Sequence, residues 1–174
     1  MALDATVGGA NANSYVTVAE AAAYYLTHLY SSAWTTLTNE QKEAALISAT
    51  RVLDANQCFT GVPASETQAL VWPRAGMFNR NGVAIPENVI PTELKYAVFE
   101  LALNLVAQNV TVMTSVQAQG LTKLKAGPVE LGWAVASTES FTVLGPNVVN
   151  FLVPSWMCEE TVDEETNGLI FEVD

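Results

Sequence analysis

The sequence predicts a mainly α fold: a small helical domain of three main helices plus a short C-terminal one, with a β-hairpin and extended terminal arms. Three observations predict it. Thr17-Val18-Ala19-Glu20 and Thr38-Asn39-Glu40-Gln41 are capping boxes, each ahead of a stretch rich in helix formers. Leu94, Ala97, Val98, Leu101, Ala102, Leu105 and Val106 recur at helical spacing and build one broad apolar face. Beyond Gly120, short β-prone runs flank Ala126-Gly127-Pro128, a turn signal.

Each element follows in order. Residues 1–16 are small and polar and read as an extended N-terminal arm. The first helix starts after Thr17 and is expected to run from Val18 to Tyr30. The second is expected from Glu40 to Asn56, with Ala45, Leu46, Ala49 and Leu53 on its inner face. Trp34 and Leu37 lie between the two and are expected to pin that connection to the core. Residues 57–91 carry Gly61, Pro63, Pro73, Gly76, Gly82, Pro86 and Pro91, too much punctuation for a helix. A loop this long is expected to be packed, with Phe59, Leu70, Val71, Trp72 and Ile85 as anchors. Pro91 lies at or next to the first turn of the third helix, where a missing N–H does no harm. That helix is expected to fade between Val110 and Val116, where β-branched residues gather. Strands are expected at Leu121–Lys125 and Val129–Val135, with Phe141–Leu144 as a third strand or an extended link. Asn147–Met157 is read as a short helix interrupted by Pro154. The organisation is thus an arm over 1–16, a helical domain over 17–156 containing the 57–91 loop and a 120–144 hairpin, and an acidic tail over 157–174.

Half of the 174 residues are hydrophobic and only 14% are charged, so a large core or surface covered by neighbours is expected. No apolar run reaches the roughly 18 residues a membrane span needs. Met1–Ala12 lacks the basic and apolar regions of a secretory signal, and a cytoplasmic setting is expected. The net charge is −11, from 7 Lys and Arg against 18 Asp and Glu. All basic residues fall between Lys42 and Lys125, while the stretch after Cys158 holds acids and no base. Such a field repels nucleic acid, whose nonspecific affinity comes from phosphate neutralisation.

Candidates for chemistry are few. His28 is the only histidine and has no carboxylate or nucleophile near it in sequence, so it reads as a surface or packed side chain. Cys58 and Cys158 read as free thiols in a reducing compartment, with a single disulfide as the alternative. Neither phosphate-loop nor dinucleotide-binding glycine motifs occur. Asn109-Val110-Thr111 fits a glycosylation sequon at an expected helix end and is discounted. The chain is therefore read as non-enzymatic, with no cofactor and no metal. Arg74 and Arg80 lie beside Trp72 and Phe78, an interleaving that a single-strand binder uses for phosphates and base stacking. The competing reading, which the charge favours, pairs these arginines with acidic neighbours in the same or an adjacent subunit. Lys123 and Lys125 alternate on an expected strand. The tail has two readings: a solvated, disordered acidic end, or a strand added to a partner through the alternating β-prone run Leu169-Ile170-Phe171-Glu172-Val173. Trp72, Arg74, Arg80, Leu169, Ile170, Phe171 and Val173 are the candidate partner-interface residues.

One set of residues carries a resemblance. It comprises Ala49-Thr50-Arg51 with Leu53-Asp54, Phe59 and Gly61, Gln68-Ala69-Leu70 with Trp72-Pro73-Arg74 and Gly76, Ile85-Pro86, Ile90-Pro91, Leu94 with Ala97, Glu100-Leu101-Ala102, and Lys125-Ala126-Gly127-Pro128-Val129-Glu130. Over residues 17–155 the chain resembles tailed-phage and prophage proteins described as DnaT-like single-stranded-DNA-binding proteins, which are similar to phage head–tail connector and head-completion proteins. The resemblance implies a helical domain with a β-hairpin. It implies a homo-oligomeric ring, commonly dodecameric, between the portal protein and a downstream tail or neck protein. That ring extends a channel through which DNA passes without specific binding. It implies a place in the virion neck, after assembly in the host cytoplasm. The alternative it implies is a single-stranded-DNA-binding replication accessory.

Overall fold

The structure is a computed structural model that describes residues 2–107 and 144–158, and the backbone of residues 123–126 and 129–132. Among these residues the helices are α1 (Val18–Tyr25), α2 (Ser32–Thr35), α3 (Asn39–Asn56), α4 (Thr92–Ala107) and α5 (Pro146–Val149), followed by a 3-10 turn at Pro154–Trp156. Two antiparallel strand pairs accompany them. The first joins β1 (Val62–Pro63) to β2 (Arg74–Ala75), and the second joins β3 (Lys123–Ala126) to β4 (Val129–Gly132). The domain is mainly helical with a hairpin, as its sequence predicts. No helix among the described residues is long and apolar enough to cross a membrane.

Both capping boxes form. The Thr17 hydroxyl accepts from the Glu20 N–H, and the Thr17 N–H donates to the Glu20 carboxylate at 2.8 Å. Thr38 and Gln41 repeat the arrangement. The first helix stops at Tyr25 rather than Tyr30. The Thr27 N–H and hydroxyl both turn back to the Tyr24 carbonyl, and the His28 N–H turns back to Tyr25, tightening the last turn into a stop. Trp34 sits on the short α2 and is buried against Tyr25, their rings 4.6 Å apart.

The core lies between α3 and α4. Leu46, Ala49 and Leu53 of α3 and Leu94, Ala97, Val98 and Leu101 of α4 are fully buried. From Ala97 to Leu103 every residue of α4 is buried, including Glu100, so α4 is the central helix. The 57–91 segment packs as expected, with Phe59 and Trp72 buried and Leu70, Val71 and Ile85 resting on the core. Its β1–β2 pairing brings Gly61 against Ala75 and Met77. A Cβ there would lie 2.8 Å from the Met77 sulfur, and the φ of +72° disfavours any side chain.

Residues 1–16 are not a free arm over the part described. The Leu3 N–H donates to Glu43, the Tyr15 N–H donates to Thr50, and the Tyr15 hydroxyl donates to Asp54 at 2.5 Å. The Ala69 N–H donates to the Gly9 carbonyl. Tyr15 and Val16 are buried, so this segment is laid along α3 by its own apolar residues. Burial and the adjacent Asp54 push the Tyr15 hydroxyl well above the usual tyrosine range.

The expectation of free thiols is overturned. Cys58 and Cys158 form a disulfide, with Cα atoms 5.4 Å apart and 100 residues between them in sequence. A strand-like contact brings them together: Phe59 bridges Met157, the Cys158 N–H donates to the Cys58 carbonyl, and the Thr60 N–H donates to the Trp156 carbonyl. Met157 and Cys158 thus belong to the body, and the acidic tail begins after them.

Cross-linking so long a loop restricts the unfolded chain, so Cys58→Ser with Cys158→Ser is expected to lose about 2–4 kcal/mol. Urea unfolding of the pair variant against the oxidised chain measures it. A second expectation concerns Glu20. Partial burial raises its carboxyl, but the Lys95 ammonium at 2.6 Å and the Thr17 donors outweigh this and hold it below the usual range. A depressed folded-state pKa means stability that is present at neutral pH and lost as pH falls through and below about 4. Glu20→Gln is therefore expected to lower the melting temperature at pH 7 and to flatten its fall toward pH 3, as read by thermal scans across that range.

Candidate interaction site

Trp72, Arg74 and Arg80, the candidate partner-interface residues of the 57–91 segment, divide between interior and surface. Trp72 is 1% exposed and lies edge-on to Phe59 and against Trp156. Arg74 is buried too. Its Nε donates to the Thr60 carbonyl at 2.6 Å, Nη1 to Val71, and Nη2 to Phe59 and Gly61. One guanidinium thus serves four backbone carbonyls, three on the approach to β1 and that of Val71, to which the Gln68 amide also donates. Arg80 is exposed, but its Nη2 donates to the carbonyls of Asn150, Phe151 and Leu152, closing the end of α5. Among the described residues neither arginine forms an ion pair with an acidic side chain of the same subunit. Trp72 and Arg74, expected to face a partner, are held inside the subunit, because the loop needs an apolar anchor and a multi-armed donor. Of the basic–aromatic set only Phe78 and Arg80 reach the surface. Leu169, Ile170, Phe171 and Val173 lie outside the described residues, as do the side chains of Lys123 and Lys125.

A polar cluster unforeseen in the sequence surrounds Glu100. The Tyr24 hydroxyl donates to Glu100 Oε1 at 2.6 Å, His28 Nε2 lies 3.1 Å from the same oxygen, and Asn147 Nδ2 donates to Oε2 at 3.3 Å. Burial and the Glu100 carboxylate push the Tyr24 hydroxyl up. His28 Nδ1 accepts the Tyr30 N–H at 3.3 Å, so both ring nitrogens are engaged within the fold. A histidine beside a carboxylate can orient a proton transfer only if its other nitrogen faces a reacting group. Here that nitrogen faces backbone, and the cluster acts as a latch between α1, α4 and α5. His28, expected as a surface or packed side chain, is partly buried and has a carboxylate partner that its sequence neighbourhood does not announce. Among the described residues no three His, Cys, Asp or Glu side chains are grouped to hold a metal.

What this latch displays is apolar. Leu26, Leu29 and Tyr30 are 87%, 84% and 75% exposed on the turn that His28 pins. Val62, Phe78 and Val83 are also largely uncovered on the 57–91 segment. On the other side, α3 and α4 border a shallow groove of about 420 Å³ lined by Ala44, Ser48, Arg51, Val52, Leu105 and Val106. The only signal for the apolar turn in sequence is that residues 21–39 contain no Asp, Glu, Lys or Arg.

Arg74→Ala would strand the Phe59, Thr60 and Gly61 carbonyls around a buried void and leave that of Val71 to Gln68 alone. A loss of about 3 kcal/mol in urea unfolding is expected, against under about 1 kcal/mol for Arg80→Ala. Arg74→Lys is expected to recover little of the loss, because one ammonium cannot span four acceptors.

No curated protein and no solved structure matches the chain. A family model described as "Putative DnaT-like ssDNA binding protein" matches residues 1–166. The match spans both capping boxes, the Trp72–Arg74 loop, the central helix and the hairpin, and the chain belongs to this DnaT-like family.

Proposed function

We propose that this chain is a non-catalytic structural subunit, a phage head–tail adaptor that forms a ring between portal and tail and extends the DNA channel. The observation that carries this reading is the division of labour on the surface. The cations and aromatics that a strand-binding groove would need are turned inward at Trp72 and Arg74. Large apolar side chains at Leu26, Leu29 and Tyr30 are left uncovered, as on a protein completed by neighbours. The balance of −11 supports the same reading, since a channel wall with few cations lets DNA slide with little counterion release. The virion neck would be its place, and the portal and the next tail component its partners.

The family's description favours a second reading, a single-stranded-DNA-binding accessory. Phe78, 52% exposed, and Arg80 would be its stacking and phosphate contacts. Two measurements separate the readings. Reconstruction of the particle neck is expected to show a ring of this fold between portal and tail; a neck built without it overturns the adaptor. Titration of labelled single strand at low and moderate salt is expected to show weak binding. Tight binding with a steep salt slope, abolished by Phe78→Ala with Arg80→Ala, would favour the accessory role instead. Arg74→Ala is unsuited to this test, because it removes a structural donor.

A further inference from the structure

We propose that the Cys58–Cys158 bridge is a reversible modification site: small thiols open it in the folded subunit by exchange at Cys58, and their disulfides close it again. The proposal does not depend on the ring reading.

The bridge lies where a reagent can reach it. Cys58 is exposed and Cys158 partly so, although Phe59 and Trp156 close by are buried. A bridge enclosed in a core is reduced only when the domain unfolds, whereas an accessible one exchanges in the native state. These are the only two cysteines of the chain, so an opened bridge has no other internal thiol with which to reshuffle.

The fold around it stands without the bond. The Trp156 indole donates to the Phe78 carbonyl at 2.6 Å, the Thr60 N–H to the Trp156 carbonyl at 2.7 Å, and the Thr60 hydroxyl to the Ser155 carbonyl at 3.0 Å. Arg74 holds the other side of this contact through the carbonyls of Phe59, Thr60 and Gly61. Opening therefore leaves the chain seated as far as Trp156. Beyond it the holds are few. Besides the bond, Cys158 has one backbone hydrogen bond among the described residues, its N–H on the Cys58 carbonyl at 3.1 Å. Opening is thus a local event at Met157 and Cys158. The same backbone pairing keeps the two sulfurs neighbours, on Cα atoms 5.4 Å apart, so reclosure is intramolecular and outpaces capture by a second molecule.

The exchange takes two steps. A small thiolate attacks the Cys58 sulfur, the S–S bond breaks, and the Cys158 sulfur departs with the electron pair as a thiolate that takes a proton from water. A second small thiolate then attacks the sulfur that the first one contributed to the mixed disulfide. Cys58 leaves as a thiolate and is protonated in turn. Two small thiols are oxidised to one disulfide while the bridge is reduced to two thiols, and the reverse sequence closes it. Attack falls on Cys58 because it is the less covered of the two residues.

The test starts from the oxidised full chain without denaturant. Glutathione is added at increasing concentration, freed thiols are trapped with N-ethylmaleimide, and opening is followed by mass. The opening rate is expected to be proportional to glutathione and indifferent to low urea, with the trapped mixed disulfide at Cys58. Circular dichroism is expected to stay unchanged, and transfer to oxidised glutathione to restore the bridge within the monomer. On opening, hydrogen exchange over Met157–Cys158 is expected to quicken by about tenfold or more, while α3 and α4 keep their protection. Cys158→Ser, which cannot close the bridge, is expected to fold and to hold glutathione at Cys58 as a stable mixed disulfide. A rate that levels off with glutathione and climbs with urea would mean opening by global unfolding, and overturns the proposal. Lost protection in α3 and α4 overturns it, as does unchanged exchange at Cys158. A wild type that ends as the mixed disulfide, or one trapped at Cys158 instead, overturns it too.

Discussion

The Arg74 guanidinium is the interaction on which the rest of this fold depends. Four carbonyls, from Phe59, Thr60, Gly61 and Val71, converge on it in a space largely closed to water. A buried carbonyl without a donor is costly, and a segment with few regular strands produces many of them. The arginine lets residues 57–91 run through the interior without becoming a sheet. With that segment in place, Trp72 can pack between Phe59 and Trp156, and the Trp156 indole can reach the Phe78 carbonyl at 2.6 Å. The C-terminal turn is thereby seated, and the cysteines are brought within bonding reach.

A second hub, around Glu100, organises the opposite side. A carboxylate inside a helix that is buried for seven residues in a row needs donors from several directions. Tyr24, His28 and Asn147 provide them from α1, from the turn after it and from α5. Arg74 and Glu100 thus play matched roles: each is a polar group enclosed by the fold that fixes how loops approach the central helices. Both are structural uses of residue types that would suggest binding or catalysis if met at a surface.

What was legible in the sequence divides along the range of the interactions. Local chemistry was readable. The capping boxes at Thr17 and Thr38, the periodicity of α4 and the pairing of β3 with β4 act within a few residues, and the structure follows each; the helix expected over Asn147–Met157 instead ends at Val149, and Pro154 opens the 3-10 turn rather than interrupting a helix. Long-range pairings were hidden. Nothing near His28 announces Glu100, and nothing near Cys58 announces Cys158, because the partners of each pair stand far apart in sequence and meet only in the tertiary fold. The N-terminal segment misled for a related reason. Its small polar residues suggested an arm, while Leu3, Tyr15 and Val16, few but well spaced, were sufficient to bind it to α3. The Trp72–Arg74 motif was correctly singled out, but its chemistry was assigned to a partner when it serves the subunit's own backbone.

The disulfide has a mechanical side. Cys158 is the last described residue before the acidic tail, and it is tied to Cys58 just beyond the end of α3. A pull on the chain beyond Cys158 therefore does not peel away the Pro154–Trp156 turn residue by residue. The load passes across the sulfur bond to the chain at the foot of α3, and from there into the packed α3–α4 pair. With its thiols reduced, the same pull would meet first the Cys158–Cys58 and Thr60–Trp156 backbone hydrogen bonds, which would yield one after another. The bridge turns the point where the tail leaves the domain from a zipper into a rivet.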